Sequence, residues 1–221
     1  MADEKLINRL IVTLKELGIY ENTTLVIMSD HGTNLGEHPA HLIPWRTGGI
    51  KYPQHITMFD HDLHVAMIIK GENLPKGKVI KEMVRSIDLV PTLLDLAGIS
   101  TKEYGFDGLS MLPVINKNET RDEVYSEDLF EPRGEGVLQS LRTKDFKFIR
   151  NLTLGTEEYY DLNNDPGEQE DIKEKMEQEK LIQIRKKLNS HLLTKAVSQK
   201  GFSQEEKEAI DQRLRGLGYI E

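Results

Sequence analysis

Thr24-Leu25-Val26-Ile27-Met28-Ser29-Asp30-His31-Gly32 decides how the chain is read, because an apolar, β-branched run stops at a carboxylate, an imidazole and a glycine. Such a run before polar residues reads as a buried strand, of the kind covered on both faces in a parallel sheet flanked by helices. In open α/β sheets the ligand crevice lies beyond the carboxyl ends of the strands, where Asp30 and His31 fall. A carboxylate beside an imidazole offers one oxygen and one nitrogen to a divalent cation, and Gly32 lets the backbone turn away without a Cβ clash. Taken alone, the same triplet serves equally well as a strand-end turn.

The following residues favour the site. Of the seven histidines, His31, His38, His41, His55, His61 and His64 cluster in a window that also holds Asp30, Glu37, Asp60 and Asp62. Imidazoles and carboxylates are the usual ligands and proton carriers of hydrolytic metal centres, and the same residues spread evenly would imply nothing.

Upstream, Leu6, Ile7, Leu10, Ile11, Leu14 and Leu17 recur at helical spacing, and Gly18 is the natural stop of an amphipathic helix. A helix feeding straight into a strand is half of a repeating α/β unit. Downstream, Gly32 to Asp62 reads as one long loop, a length that in a compact domain usually serves function. Leu63 to Gly71 reads as a second buried strand. Asp88 is a candidate N-cap for a helix with Pro91 in its first turn and Leu89, Val90, Leu93, Leu94 and Ala97 inward. Glu123 to Ser126, Val137 to Arg142 and Lys147 to Arg150 read as short strands, the last two joined around Thr143-Lys144-Asp145. Glu158 to Leu162 reads as an edge strand stopped by Asn163-Asn164-Asp165-Pro166-Gly167. From Glu168 to Lys195 the pattern is helical, with Ile182, Ile184, Leu188, Leu192 and Leu193 inward, and His191 is a surface or half-buried histidine. A last helix, Ser203 to Leu214, opens with a capping box to Glu206.

With 221 residues and 38% hydrophobic content the chain can bury a sizeable core. A net charge of -8 argues against nucleic acid and anionic membrane as partners. The sequence holds no apolar run long enough to span a bilayer and no signal-like start, so a cytoplasmic location is the default expectation. With no cysteine there is no disulfide, thiolate ligand or thiol nucleophile.

These pieces resemble the C-terminal half of a sulfatase, in the superfamily that also holds alkaline phosphatases and phosphonate or phosphodiester hydrolases. Asn22 to Gly32 resembles the family's strand and metal motif, followed by Leu35-Gly36-Glu37-His38. His64-Val65-Ala66-Met67-Ile68-Ile69 is similar to the family's His/Arg-Val-Pro-Leu-Ile-Ile strand, with Ala66 where proline is usual. Asp88-Leu89-Val90-Pro91-Thr92-Leu93-Leu94-Asp95-Leu96-Ala97-Gly98-Ile99 matches a family helix almost residue for residue. Tyr160-Asp161-Leu162-Asn163-Asn164-Asp165-Pro166-Gly167-Glu168 and Leu217-Gly218-Tyr219 resemble segments near sulfatase C-termini.

The resemblance implies an α/β fold: part of an alkaline-phosphatase-like sandwich, with a mixed sheet flanked by helices, plus a small C-terminal antiparallel sheet and helices. Residues 1–122 would belong to the catalytic domain and 123–221 to a C-terminal subdomain. It implies Asp30 and His31 as ligands of a divalent cation, calcium first, with zinc, manganese or magnesium in the phosphate-cleaving relatives. It places His38 near the substrate ester and His55 at a position that contacts the transferred group, with Lys51 as the nearest lysine for that task. His41, His61 and His64 are supporting or loop residues, and Asp60 a carboxylate behind the site. The substrate would be a carbohydrate or aryl sulfate ester.

The family's Cys/Ser-x-Pro-x-Arg motif, source of the formylglycine nucleophile, is not found among these residues. The expectation is that this chain alone does not turn over aryl sulfate. A metal-dependent phosphatase or phosphodiesterase of the same superfamily is the alternative enzyme, and a non-catalytic binding module the alternative class. An exposed sheet edge would favour a homo-oligomer.

Overall fold

The structure, a computed structural model, describes residues 2–38, 57–117, 119–128 and 137–195. It divides into two compact units, Met1–Glu177 and Gln178–Glu221. The first holds α1 (Ala2–Glu16), β1 (Leu25–Met28), α2 (Asp60–Leu63), β2 (Met67–Lys70), α3 (Leu89–Leu96), α4 (Leu112–Lys117), β3 (Glu123–Asp128), β4 (Leu138–Thr143), β5 (Phe146–Asn151) and β6 (Thr156–Asp161). The second holds α5 (Gln178–Lys195).

Helix α1 ends as its sequence dictates, with Gly18 in the left-handed region at φ 69°. Strand β1 ends just before Ser29, delivering Asp30 and His31 at its carboxyl end. Its partner corrects the expected sheet: β1 pairs antiparallel with β2, Leu25 opposite Lys70 and Met28 opposite Met67. Both sheets among the described residues are antiparallel. Strand direction is set by the partner and not by the apolar run, which reads the same for either. Neither strand is buried as expected; β1 is half-buried throughout, and Ile68 of β2 is exposed. The Lys70 ammonium pins the pair, donating to the carbonyl oxygens of Tyr20, Glu21 and Thr23 over the Tyr20 ring.

β2 is also shorter than the run Leu63 to Gly71, because Asp60–Leu63 closes into a helical turn and leaves His64 exposed. Asp88 stands at the expected N-cap position of α3, but its side chain has another task. Its carboxylate does not cap α3 but accepts from the backbone N–H of Arg85 and Leu109 and from the Arg85 guanidinium, with Arg121 at 3.1 Å. Helix α3 buries Pro91 and Thr92, while Val90 and Leu93 are exposed. The Thr92 hydroxyl donates to the Asp88 carbonyl and accepts from the Met111 N–H, turning that face toward the chain after Gly108.

β3 to β6 form an antiparallel meander in sequence order. The Leu138, Ser140 and Arg142 face of β4 continues as Asn151, Ile149 and Lys147 on β5, and brings Tyr160 of β6 beside them. Leu138, Ile149 and Tyr160 pack there with Met58, Phe59 and Leu162 as one buried cluster. Leu141 and Phe148, paired across β4 and β5 on the other face, are fully buried. The helix expected from Glu168 begins instead at Gln178, after a 3-10 turn at Lys173–Lys175. In α5, Leu181, Ile184 and Leu188 are buried and Ile182 is exposed, which corrects the inward placement of Ile182. His191 is half-buried. The expected last helix, Ser203 to Leu214, lies outside the described residues, as do the side chains of Leu192 and Leu193.

Candidate active site

The end of β1 fixes the first two groups. Asp30 Oδ1 accepts the N–H of His31, and the His31 ring meets the Gly32 carbonyl at 2.6 Å through Nδ1. A carbonyl only accepts, so Nδ1 carries the proton and Nε2 is the acceptor nitrogen of the neutral ring. That nitrogen lies 3.8 Å from Asp30 Oδ2, with the Asp30 side chain 86% exposed. A carboxylate oxygen and an imidazole nitrogen so disposed fit a shared divalent cation, with the second ring nitrogen oriented by a backbone carbonyl. The described residues hold no group of three or more such ligands.

Gly32 is required by a close approach. A Cβ there would stand 1.9 Å from the His61 carbonyl oxygen. The space is taken by a backbone bridge in which Gly32 N–H donates to Asp62 O at 2.7 Å and Thr33 N–H to His61 O at 2.9 Å. The single turn α2 is thereby tied to the segment leaving β1.

His38 is brought into this turn by three contacts. Its ring stacks on Phe59 with centroids 3.8 Å apart, its Nδ1 lies 3.1 Å from His61 Nδ1, and its Nε2 lies 2.7 Å from the Glu168 carbonyl oxygen. The Gln169 amide nitrogen is 3.2 Å from the same Nε2 and donates to the Gly167 carbonyl. Both ring nitrogens of His38 are thus engaged by protein in this buried position.

Glu168 reaches the site through the turn after β6. The Asp165 carboxylate accepts the N–H groups of Gln169 and Glu170, which winds the chain tightly enough that Glu168 takes φ 55°. A non-glycine residue in that region costs energy and persists only where its surroundings hold it. Here the backbone turns a carbonyl to His38 while the carboxylate turns inward, where Oε2 accepts the Asp60 N–H at 2.6 Å. Lys147, with no exposed side-chain surface, lies 2.5 Å from Asp60 Oδ1 and 2.7 Å from Glu168 Oε1. Only the first contact has the alignment of a hydrogen bond; the second is a charge contact. Arg142 binds Asp60 through Nε and Nη2.

The register explains why these acids are there. Arg142 and Lys147 stand directly opposite each other on β4 and β5, and like charges so placed repel. Asp60 lies against both. Burial pushes the Asp60 carboxyl up, and Lys147 and Arg142 together outweigh it, holding the group below its ordinary value. Burial dominates at Glu168 and holds it above the ordinary value, against Lys147 and the Asp60 N–H.

Of the residues singled out in the sequence, Asp30 and His31 stand together at one strand end, and His38 and His61 meet with Asp62. Asp60 belongs to the Lys147 and Arg142 cluster, and His64 stands apart. Lys51, His55 and His41 lie outside the described residues. Reading the sequence missed Lys147, Arg142 and the inward role of Glu168. The signal available was alternation: both cations fall on the strand face that Leu138 and Ile149 mark as apolar.

The comparisons with known proteins agree with this architecture. An arylsulfatase of Clostridium perfringens is 36% identical over 166 residues, which cover 73% of this chain and 32% of that protein. A choline-sulfatase of Rhizobium meliloti is 30% identical over 168 residues, covering 75% of this chain and 30% of its own. A solved structure described in complex with its substrate D-glucosamine-2-N,6-O-disulfate superposes with a TM-score of 0.67 at 26% identity, over 85% of this chain and 37% of the other. The chain therefore spans about a third of the length of these proteins. Residues 50–198, more than half of the sequence, match the C-terminal family model of N-sulphoglucosamine sulphohydrolase, and the chain belongs to the sulfatase family.

Proposed function

We propose that this chain supplies the metal-liganding, C-terminal part of a sulfuric ester hydrolase acting on a sulfated carbohydrate or aryl sulfate, with sulfated amino sugars as the leading class. The observation that carries the reading is the Asp30 and His31 pair, oriented at the end of β1 in a chain of this family. When bound, a divalent cation, calcium first, stabilises negative charge on the ester oxygens.

The chain's own groups do the rest. Asp30 and His31 orient two donor atoms, and Gly32 brings His61 and Asp62 close behind them. His55 or Lys51 is proposed to contact the transferred group, and His38 to protonate the leaving oxygen through Nε2–H, exchanging the Glu168 carbonyl for that oxygen. The nucleophile is not among these 221 residues, because no cysteine is present and no serine heads x-Pro-x-Arg.

Titration calorimetry of the purified chain with calcium tests the reading. Saturable binding is expected, weakened at least tenfold in the Asp30→Ala, His31→Ala variant. Binding unchanged by that double substitution would overturn it.

A further inference from the structure

Behind His38 lies a proton path that metal binding by Asp30 and His31 does not require. His38 Nε2 points at the Glu168 carbonyl, which only accepts, so in the neutral ring Nε2 carries the proton and Nδ1 is an acceptor. His61 Nδ1, 3.1 Å away, must then be the donor of that contact. This leaves His61 Nε2 to face Thr57 Oγ1 at 3.3 Å and Asp62 Oδ1 at 3.5 Å. Thr57 has already committed its hydroxyl proton to Asp62 Oδ2 at 2.6 Å, and its backbone N–H bonds the same oxygen. Asp62 Oδ1 is buried and has no hydrogen-bond partner among the described residues. An orphan carboxylate oxygen facing an imidazole nitrogen is a place waiting for one proton.

We propose that a proton taken up by this cluster settles on His61 Nε2, where it closes on Asp62 Oδ1, and that His61 is the positioning residue that holds His38 in its Nε2–H tautomer. Protonated at both nitrogens, His61 donates to His38 through Nδ1 and to Asp62 through Nε2, and every buried polar atom of the group is satisfied. The use of this path in hydrolysis rests on the proposed sulfatase reading. There, as His38 releases its Nε2 proton to the leaving oxygen, its Nδ1 takes the proton of His61 Nδ1. His61 ends neutral, with Nε2–H on the Asp62 carboxylate, so one proton leaves the relay and the cluster returns to the net charge it had before loading.

The charged surroundings fix when it loads. Burial pushes the His61 ring down, and Lys147 and any positive charge on His38 add to this, while Asp62 and Glu37 push it up; the balance lies below the ordinary imidazole value. Loading therefore lies on the acidic side of the ordinary imidazole value.

The direct test is nitrogen-15 imidazole NMR of the full chain from pH 8 to pH 5, a spectroscopic signature that a merely structural pair would not give. The expected result is an Nε2–H tautomer for His38 at pH 8 and uptake of a proton at His61 Nε2 on acidification. Asp62→Asn removes the acceptor and should move that uptake down by at least one pH unit. A His61 Nε2 that stays unprotonated at pH 5 in the folded chain would overturn the proposal, with no variant needed. The Asp30→Ala, His31→Ala chain should keep these signals, and Asp62→Asn should keep calcium binding, so failure of one reading is separable from failure of the other.

Discussion

Replacing Lys147 by Met tests the account of the buried charge cluster. Lys147 has no exposed side-chain surface and stands between two carboxylates that are themselves mostly covered, Asp60 at 2.5 Å and Glu168 at 2.7 Å. Methionine keeps most of the volume and removes only the ammonium. Removing one partner of a buried pair strands the other, which costs about 3–5 kcal/mol. For a chain of this size that lowers the melting temperature by about 6–20 °C. The pH dependence supplies the sharper test. Asp60 is held low in the folded state, so its contribution is present above the unfolded value and is lost as pH falls through the folded one. Glu168 is held high and has the opposite sign: the folded state binds its proton more tightly, so stability falls as pH rises through the folded value. Without Lys147 the Glu168 carboxyl rises further, and the loss in Lys147→Met should shrink from pH 8 to pH 5. Urea unfolding at both pH values measures it. A loss below about 1 kcal/mol, or one equal at both pH values, would refute the argument, as would failure of Glu168→Gln to recover part of it.

Two further substitutions probe the joints. Gly32→Ala places a methyl where the His61 carbonyl stands 1.9 Å away, and should cost about 1–3 kcal/mol of overpacking, read as a lower melting temperature. An unchanged melt would show that the bridge moves aside without cost. Asp88→Asn leaves Arg85 and Arg121 facing a neutral amide in a buried position and should cost about 3 kcal/mol in urea unfolding, with no change in calcium affinity. A change in calcium affinity as large as that in stability would mean the two regions are coupled.

The parts of the fold that could be read from the chain are those written locally. The β4 and β5 hairpin turns where Thr143-Lys144-Asp145 said it would, because alternation and turn residues lie within one stretch. Asp88 holds the N-cap position as read, but the partner of its side chain was misread, because a side chain before a helix looks like a cap whether or not a guanidinium competes for it. Here Arg85 and Arg121 win the carboxylate, a contest no local pattern records. In the candidate site, the juxtaposition of Asp30 and His31 follows from adjacency alone. The contact of His38 with Glu168 joins residues 130 positions apart, and only the folded turn at Asp165 creates it. Lys147 stood in plain view on an apolar face, but a lone charge in a strand is more often solvated than buried.

The order of the strands has a kinetic consequence. β3 to β6 pair neighbour with neighbour, so each new strand closes a short loop, whereas β1 and β2 join across residues 29–66. Each doubling of a loop adds about 0.6 kcal/mol of closure entropy, so lengthening it from a few residues to nearly forty adds about 2 kcal/mol before any contact rewards it. By contact order the meander assembles early, carrying Arg142 and Lys147 into place. The strand that ends in Asp30 and His31 then pairs late, and the segment it closes brings Asp60 to two cations that the meander has already set side by side.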